Sequence, residues 1–416
     1  MMPPDLTHGA TPMNLRRKLR IGGPSTIHRR RRFGLALCQA CALVLIFAFS
    51  ASLPFGQNAD AADLGDSLLD DYRPGQGFHI PGTGLSVGGY LTGEYAEHQS
   101  PAVTVNNASL LFWYENDTRL KLFSEVDFQQ GLNRQGSYES QHGSFLALER
   151  LYADYALLDT LTVRVGKYLT PIGRWNLIHA DPLVWTTSRP LVTDAAFPTN
   201  ATGVMLLGSS SVGGFAYDYS VYAAQGNDLD PTPNIDPFKH AVGARLNVNL
   251  SDRLQVGGSL ASFQQASDRA QNRNLVGADF LYQRNGFELS SEAIYRLSEH
   301  NPSGNDKGLY LQGVAPVANR LFLVYRYEIF HSADVVPGGP PRPVAMMMGQ
   351  DGEMMQPPVP IPIGGYSPPP PTVTLNVLGL TYRFRPNLVG KIEFVDGHFG
   401  SIPVPVGVLS SVSLLF

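Results

Sequence analysis

What constrains this chain most is a two-residue alternation of greasy and charged side chains that begins near Gly84 and recurs to the last residue. In LKLFSEVDFQ, Leu120, Leu122, Val126 and Phe128 fall on one side of an extended chain, and Lys121, Glu125 and Asp127 fall on the other. HAVGARLNVNL sets Val242, Ala244, Leu246, Val248 and Leu250 against Gly243, Arg245, Asn247 and Asn249. GFELSSEAIYRL and RLFLVYRYEIF repeat the pattern, with Glu288, Glu292, Arg296, Arg326 and Glu328 on the charged side. Successive side chains of a strand point to opposite faces, so each segment puts one face in an apolar phase and the other in water. No 3.6-residue period is sustained anywhere, and 42 glycines and 32 prolines in 416 residues exclude a helical bundle.

The connections carry a second pattern. Tight turns fall at Asn116-Asp117, Asp159-Thr160, Ser209 to Gly213, Ser251-Asp252, Arg284-Asn285-Gly286, Ala318-Asn319 and Pro386-Asn387. Between them lie longer loops near residues 98–102, 130–144, 174–200, 226–238, 265–273, 299–306, 332–372 and 397–403. A soluble sandwich alternates too, but without this regular exchange of short and long links. The pattern predicts an all-β fold over 84–416: a closed transmembrane antiparallel β-barrel of about 16 strands, with short periplasmic turns and long external loops. Closure is required because the bilayer core cannot hydrogen-bond the groups of a free sheet edge. Tyr90, Tyr95, Trp113, Tyr114, Tyr168, Tyr282, Tyr295 and Tyr382 sit near expected strand ends, where interfacial aromatic girdles form.

The N-terminus has a different character. Arg29 to Arg32 lead into the apolar run FGLALCQACALVLIFAFSA and then to Ala59-Asp60-Ala61, the order of a cleaved export signal; a membrane anchor is the alternative, which Gln39 and the A-x-A disfavour. Residues 1–61 are expected to be removed, with 62–83 a short periplasmic segment before the barrel. Eight of the 31 Lys+Arg but two of the 35 Asp+Glu lie in residues 1–61, leaving 23 basic and 33 acidic residues, about −10. Nucleic acid is therefore not an expected partner. Both cysteines, Cys38 and Cys41, leave with the signal, so disulfides and thiolate metal sites leave with them.

Two loops break the barrel rhythm. Residues 332–372 are rich in proline and methionine, including Pro368 to Pro371 and Met346 to Met348, and read as an extended external loop. Its thioethers beside Asp351 and Glu353 admit a soft-metal reading, against the simpler one of a flexible loop over the mouth or against a neighbour. Residues 174–200 form the third external loop. With Trp175, Leu183, Val184 and Trp185 it is too apolar for water, so it is expected to fold into the barrel as a constriction. Arg174, His179, Asp181 and Arg189 would then present charge to the pore, beside the inward Arg150, Arg164, Lys121, Glu125, Asp127, Arg326 and Glu328. A helix cap is the structural alternative for Asp181. No G-x-S-x-G elbow or Ser-His-acid set accompanies His179, and one His with one Asp lacks a third metal ligand. No enzyme, metal or cofactor is expected, although a hydrolase remains an alternative to weigh.

Gly166-Lys167 followed by Thr170-Pro171-Ile172-Gly173, with the third loop after it, resembles a motif of the phosphate-selective (O/P-type) porin family. The closing Val412, Leu414 and Phe416 resemble the terminal signature that the barrel-assembly machinery reads in such barrels. The resemblance implies a trimeric diffusion channel, seated in outer-membrane lipid and passing small hydrophilic solutes or ions. It does not carry phosphate specificity across. Those porins use Arg and Lys ladders, whereas here Lys121, Arg150, Arg164, Arg245, Arg296, Arg326 and Lys391 meet an equal set: Glu125, Asp127, Asp154, Glu288, Glu292, Glu328 and Glu393. A non-conducting scaffold or adhesin acting through the Pro/Met-rich loop is the alternative.

Overall fold

The computed structural model describes residues 72–73, 77–97, 102–115, 118–135, 145–178, 180–226, 228–230, 236–266, 271–299, 305–332, 372–398 and 407–416. The export segment 1–61 and nearly all of the Pro/Met-rich loop lie outside these residues.

Two short strands, β1 (Tyr72–Arg73) and β2 (Gly77–Ile80), precede sixteen long ones. These are β3 (Leu85–Ala96), β4 (Ala102–Glu115), β5 (Leu120–Gln135), β6 (Phe145–Leu158), β7 (Leu161–Leu169), β8 (Asn200–Val212), β9 (Phe215–Gln225) and β10 (Phe238–Ser251). They continue as β11 (Leu254–Gln265), β12 (Arg273–Arg284), β13 (Phe287–Ser298), β14 (Asp306–Ala318), β15 (Leu321–His331), β16 (Thr372–Arg385), β17 (Leu388–His398) and β18 (Gly407–Leu415). Each pairs antiparallel with its sequence neighbour, and β18 pairs with β3 from Leu409↔Ala96 to Leu415↔Tyr90, which closes a sixteen-stranded barrel. At the seam Gly89 and Phe416 exchange two backbone hydrogen bonds of 2.8 Å, and Thr92 Oγ1 donates to Ser413 Oγ at 3.1 Å. Strand β2 takes the place beside β3 that β18 leaves, with Phe78 opposite Val87.

The alternation has the polarity the sequence predicts. Val242, Leu246, Phe287 and Tyr325 are 57%, 48%, 53% and 47% exposed on the outer face. Arg245, Glu292, Arg296, Arg326 and Glu328 are buried on the inner one. An outer face this apolar suits hydrocarbon, where a Lys or Arg at mid-depth costs about 2–4 kcal/mol. No helix among the described residues is long and apolar enough to cross a membrane.

Three residues expected in the aromatic girdles face inward instead. Tyr90 and Tyr168 are 1% and 0% exposed, and Tyr90 donates to Glu125 Oε1 at 3.3 Å. Trp113 is registered opposite Phe123, whose ring lies under the inward Arg150 guanidinium at 4.5 Å. Nearness to a strand end does not fix a side chain's face; pleat parity does. Tyr114, Tyr282, Tyr295 and Tyr382 share register with outward residues and keep the outer side.

Nor is the inner face uniformly polar. Toward the loop ends of β7 to β15 it turns apolar, and Met205, Tyr222, Phe238, Phe263, Leu275 and Phe330 join one buried cluster. The third loop completes that cluster.

Candidate functional site

Between β7 and β8 the chain leaves the wall over residues 170–199. It forms a short helix α1 (Trp175–Ile178), a 3-10 turn (Asp181–Leu183) and a second short helix α2 (Leu191–Asp194). The base of this loop is stapled by the T-P-I-G stretch. Thr170 N–H donates to Thr199 O and its hydroxyl to Pro198 O, both at 2.8 Å. Asn176 Nδ2 donates to Thr170 O at 2.8 Å and Thr199 O at 3.0 Å. Gly166 and Gly173 have φ of 132° and 66°, which disfavour a side chain. An added Cβ on Gly166 would meet Leu151 O at 2.1 Å, and one on Gly173 would meet Glu292 Oε2 at 2.1 Å. The motif is thus the hinge that turns the chain off the wall and into the barrel.

From that hinge the loop crosses to strands far along the chain. On β13, Glu292 accepts the Trp175 N–H at 2.5 Å and the Tyr310 hydroxyl at 3.0 Å, while Arg296 Nη1 donates to Ala196 O at 2.8 Å. On β15, Glu328 accepts the Leu191 N–H at 2.7 Å, while Arg326 donates to Ser188 O at 3.1 Å and to the hydroxyls of Thr186 and Ser188. On β17, Glu393 accepts the N–H groups of Thr187 and Ser188 at 3.0 and 2.8 Å, while Lys391 Nζ donates to Asp181 O at 2.6 Å and Thr186 O at 3.2 Å. Every second strand therefore offers one acid to the loop's amides and one base to its carbonyls. Thr381 on β16 and Ser411 on β18 add hydroxyl contacts to Trp185 O and Thr187 Oγ1. The irregular backbone of the loop would otherwise carry buried unpaired groups, each costing about 1–3 kcal/mol.

Burial holds the loop as well, against strands on both sides of it. Ile172, Val192, Ala196 and Phe197 join the apolar cluster of the wall, and Trp175 sits edge-on to Tyr310 with centroids 6.4 Å apart. Trp185 packs on Phe322 at 4.9 Å and lies under the Arg383 guanidinium at 4.5 Å. Both tryptophans thus meet the wall.

The expected site residues divide into groups. Arg174 borders the lumen below the loop and donates to Gln255 Oε1 at 2.8 Å. Arg189 Nη2 donates to Asn176 Oδ1 at 3.3 Å, against the loop's own base. Asp181 accepts from Asn107 Nδ2 at 3.3 Å; the turn it begins has no side-chain cap, which corrects the capping alternative. His179 lies outside the described residues. Arg150 pairs with Glu125, and Arg164 grips Asp154 through two hydrogen bonds of 2.7 and 2.8 Å while lying 3.7 Å over the Tyr152 ring. Asp127 is buried on the same strand as Glu125. Lys121 pairs with Glu115 at 2.5 Å near the turn end, where both side chains are exposed. Arg326 and Glu328 touch each other at 2.7 Å as well as the loop. Glu292, Arg296, Lys391 and Glu393 stood outside the candidate site, although each faces inward by alternation. The signal was available: an acid and a base two or four residues apart recur on the inward face of β13, β15 and β17.

Below the loop, toward the turn ends, are two cavities of about 540 Å³ and 260 Å³ that share Arg174 and Ile178 in their walls. No group of three or more His, Cys, Asp or Glu among the described residues is arranged to hold a metal ion.

A closed sixteen-stranded barrel whose third loop folds inside defines a fold class, the transmembrane β-barrel of the outer-membrane porins. Among the solved structures similar to it, three have a TM-score of 0.52 and 12% identity. The trimer form of OmpT, an outer-membrane protein of Vibrio cholerae, aligns with 80% of this chain and 99% of its own. The outer-membrane channel DcaP of Acinetobacter baumannii aligns with 82% and 100%, and Salmonella typhi OmpF in complex with daunomycin with 80% and 98%. At this identity the likeness is one of fold, and it reaches porins as a group rather than the phosphate-selective type. In sequence, 193 residues are 26% identical to an uncharacterized protein of Aquifex aeolicus (strain VF5), over 42% of this chain and 43% of that one. The match thus spans less than half of that relative's length. No family model matches the chain.

Proposed function

We propose that this protein is an outer-membrane channel for passive diffusion of small hydrophilic solutes or ions, with the third loop narrowing its lumen. The observation that carries this reading is the acid-and-base clamp of β13, β15 and β17, which holds residues 175–196 across the barrel interior. A pore needs a rigid constriction with charge at its edge, and Arg174 beside the cavities supplies that charge. The reading involves no chemical step and no cofactor, and takes the protein to be no enzyme. It places residues 1–61 as a cleaved export segment, so that the exported chain begins near residue 62, which mass spectrometry would check. It takes Phe416 as the contact for the assembly machinery and a homotrimer as the assembled form.

One feature favours a second reading. The clamp and the apolar cluster both bury side chains at the loop end of the barrel interior, as a barrel acting as a scaffold or adhesin would allow. Single-channel recording in planar bilayers separates the two. Discrete ohmic openings, with a reversal potential set by an asymmetric salt gradient, are expected of the channel; a silent bilayer containing folded barrel would replace it with the scaffold.

A further inference from the structure

We infer that the larger cavity below the third loop is a binding subsite for organic anions that carry a carboxylate on an apolar body. This deepens the channel reading by naming the class of solute. At about 540 Å³ the cavity falls within the ~300–1,000 Å³ range of ligand pockets. Its lining has two unlike walls.

One wall carries four guanidinium groups, Arg150, Arg164, Arg174 and Arg245. Three of them are paired, with Glu125, Asp154 and Asp279, and none of these acids lies on the lining. Arg150 is 19% exposed while its partner Glu125 is fully buried, and Asp279, which takes two hydrogen bonds of 2.6 and 2.9 Å from Arg245, is 2% exposed. Those carboxylates fix the forks, and Arg245 Nη1 also donates to Ser259 Oγ at 3.0 Å, so the guanidinium groups are held in place on the lining. Arg174 differs because its hydrogen bond goes to the neutral amide of Gln255, and among the described residues no acid is paired with it. The single carboxylate on the lining, Asp218, belongs to the turn end of β9 and is occupied by Ser209 at 2.6 Å and Asn247 at 3.3 Å.

The other wall is Leu169, Pro171, Leu177, Ile178, Met205 and Leu207. Inorganic phosphate or chloride would leave it wet and unmatched. A neutral apolar molecule would leave the guanidinium wall unmatched, and a cation would meet repulsion from Arg174. A carboxylate joined to a ring or short alkyl chain satisfies both walls at once: the head takes a charge-assisted fork, and the body covers the loop's Leu177 and Ile178.

The test uses purified full-length protein in detergent for calorimetry and in planar bilayers for current, with benzoate as probe and acetate, inorganic phosphate and benzyl alcohol as comparators. Benzoate is expected to bind and to interrupt chloride current at lower concentration than any comparator. Arg174→Gln should weaken benzoate about tenfold, the loss of one charge-assisted hydrogen bond. Leu177→Asn, at a side chain already 44% exposed, should bring benzoate down to the acetate level and leave acetate unchanged. Phosphate or acetate matching benzoate, or benzyl alcohol matching it, would overturn the subsite. Calorimetric binding of benzoate to a barrel that passes no current would uphold the subsite and remove the channel, whereas current without benzoate binding would do the reverse.

Discussion

The two sides of the third loop are held by different physics. Toward β7–β12 it rests mostly on Met205, Tyr222, Phe263 and Leu275, an apolar surface, with two ties to β11 from the Gly173 N–H to Ser259 and from Arg174 to Gln255. Toward β13–β18 it is tied by named atoms: Glu292 to Trp175, Glu328 to Leu191, Glu393 to Thr187 and Ser188, with three bases answering on the same strands. Burial supplies attraction but tolerates sliding, because any greasy contact of the right volume serves. Directional bonds to backbone groups supply register, because an amide that misses its carboxylate is left buried and unpaired. The contrast assigns the loop's presence in the lumen to the first side and its exact position to the second.

Substitutions should separate these contributions. The largest effect is expected from Gly173→Val, which forces a side chain into the Glu292 carboxylate at a positive φ. Displacing that carboxylate also strips the Trp175 amide and the Tyr310 hydroxyl, so a loss of about 4 kcal/mol in loop docking is expected, read as noisy, variable openings and a lower thermal midpoint. Glu393→Gln comes next. It keeps the shape and one oxygen but cannot accept both loop amides as well as a carboxylate does, so about 1–3 kcal/mol should go and the openings should broaden without collapse. On the apolar side Phe263→Leu should cost about 1 kcal/mol in thermal unfolding and leave the current unchanged, because the cluster can repack. If Phe263→Leu disturbs the current more than Glu393→Gln does, the division of labour is wrong. The smallest effect on stability is expected from replacing Arg174 and Arg189 together by Glu, since neither meets a carboxylate in a described hydrogen bond. Their reversal potential should nevertheless move toward cations, and one identical to the parent would take both residues off the conduction path.

The strands, their order and the alternation of turns and loops were legible because each is written locally. A two-residue period needs only neighbours, and Asn285 and Gly286, both at positive φ, announce their turn without help from the rest of the chain. The third loop's destination was legible from Trp175 and Trp185, which had no wet place to go. What held it there was not. The clamp joins residues 100 to 210 positions apart, and on the loop side it uses mostly backbone groups that every sequence has, so no residue type advertises them. Reasoning from side chains chose Arg174, His179, Asp181 and Arg189 as the loop's working charges. The structure puts most of the bonding on wall residues reaching for main chain. Pleat parity was the other blind spot, since Tyr90, Trp113 and Tyr168 were judged by distance from a strand end rather than by face.

The clamp also bears on the order in which the molecule can be made. The loop lies in the first half of the chain, whereas Lys391, Glu393 and Ser411 belong to the last two strands, and β18 meets β3 only when the whole circle has been traversed. Contacts of such separation form late, after the long intervening segment has been organised. Until then residues 170–199 have a greasy wall and the ties to β13 and β15, but lack those to β17 and β18. The loop therefore reaches its final position only once the last hairpin is in place, and its seating reports that the circle is complete.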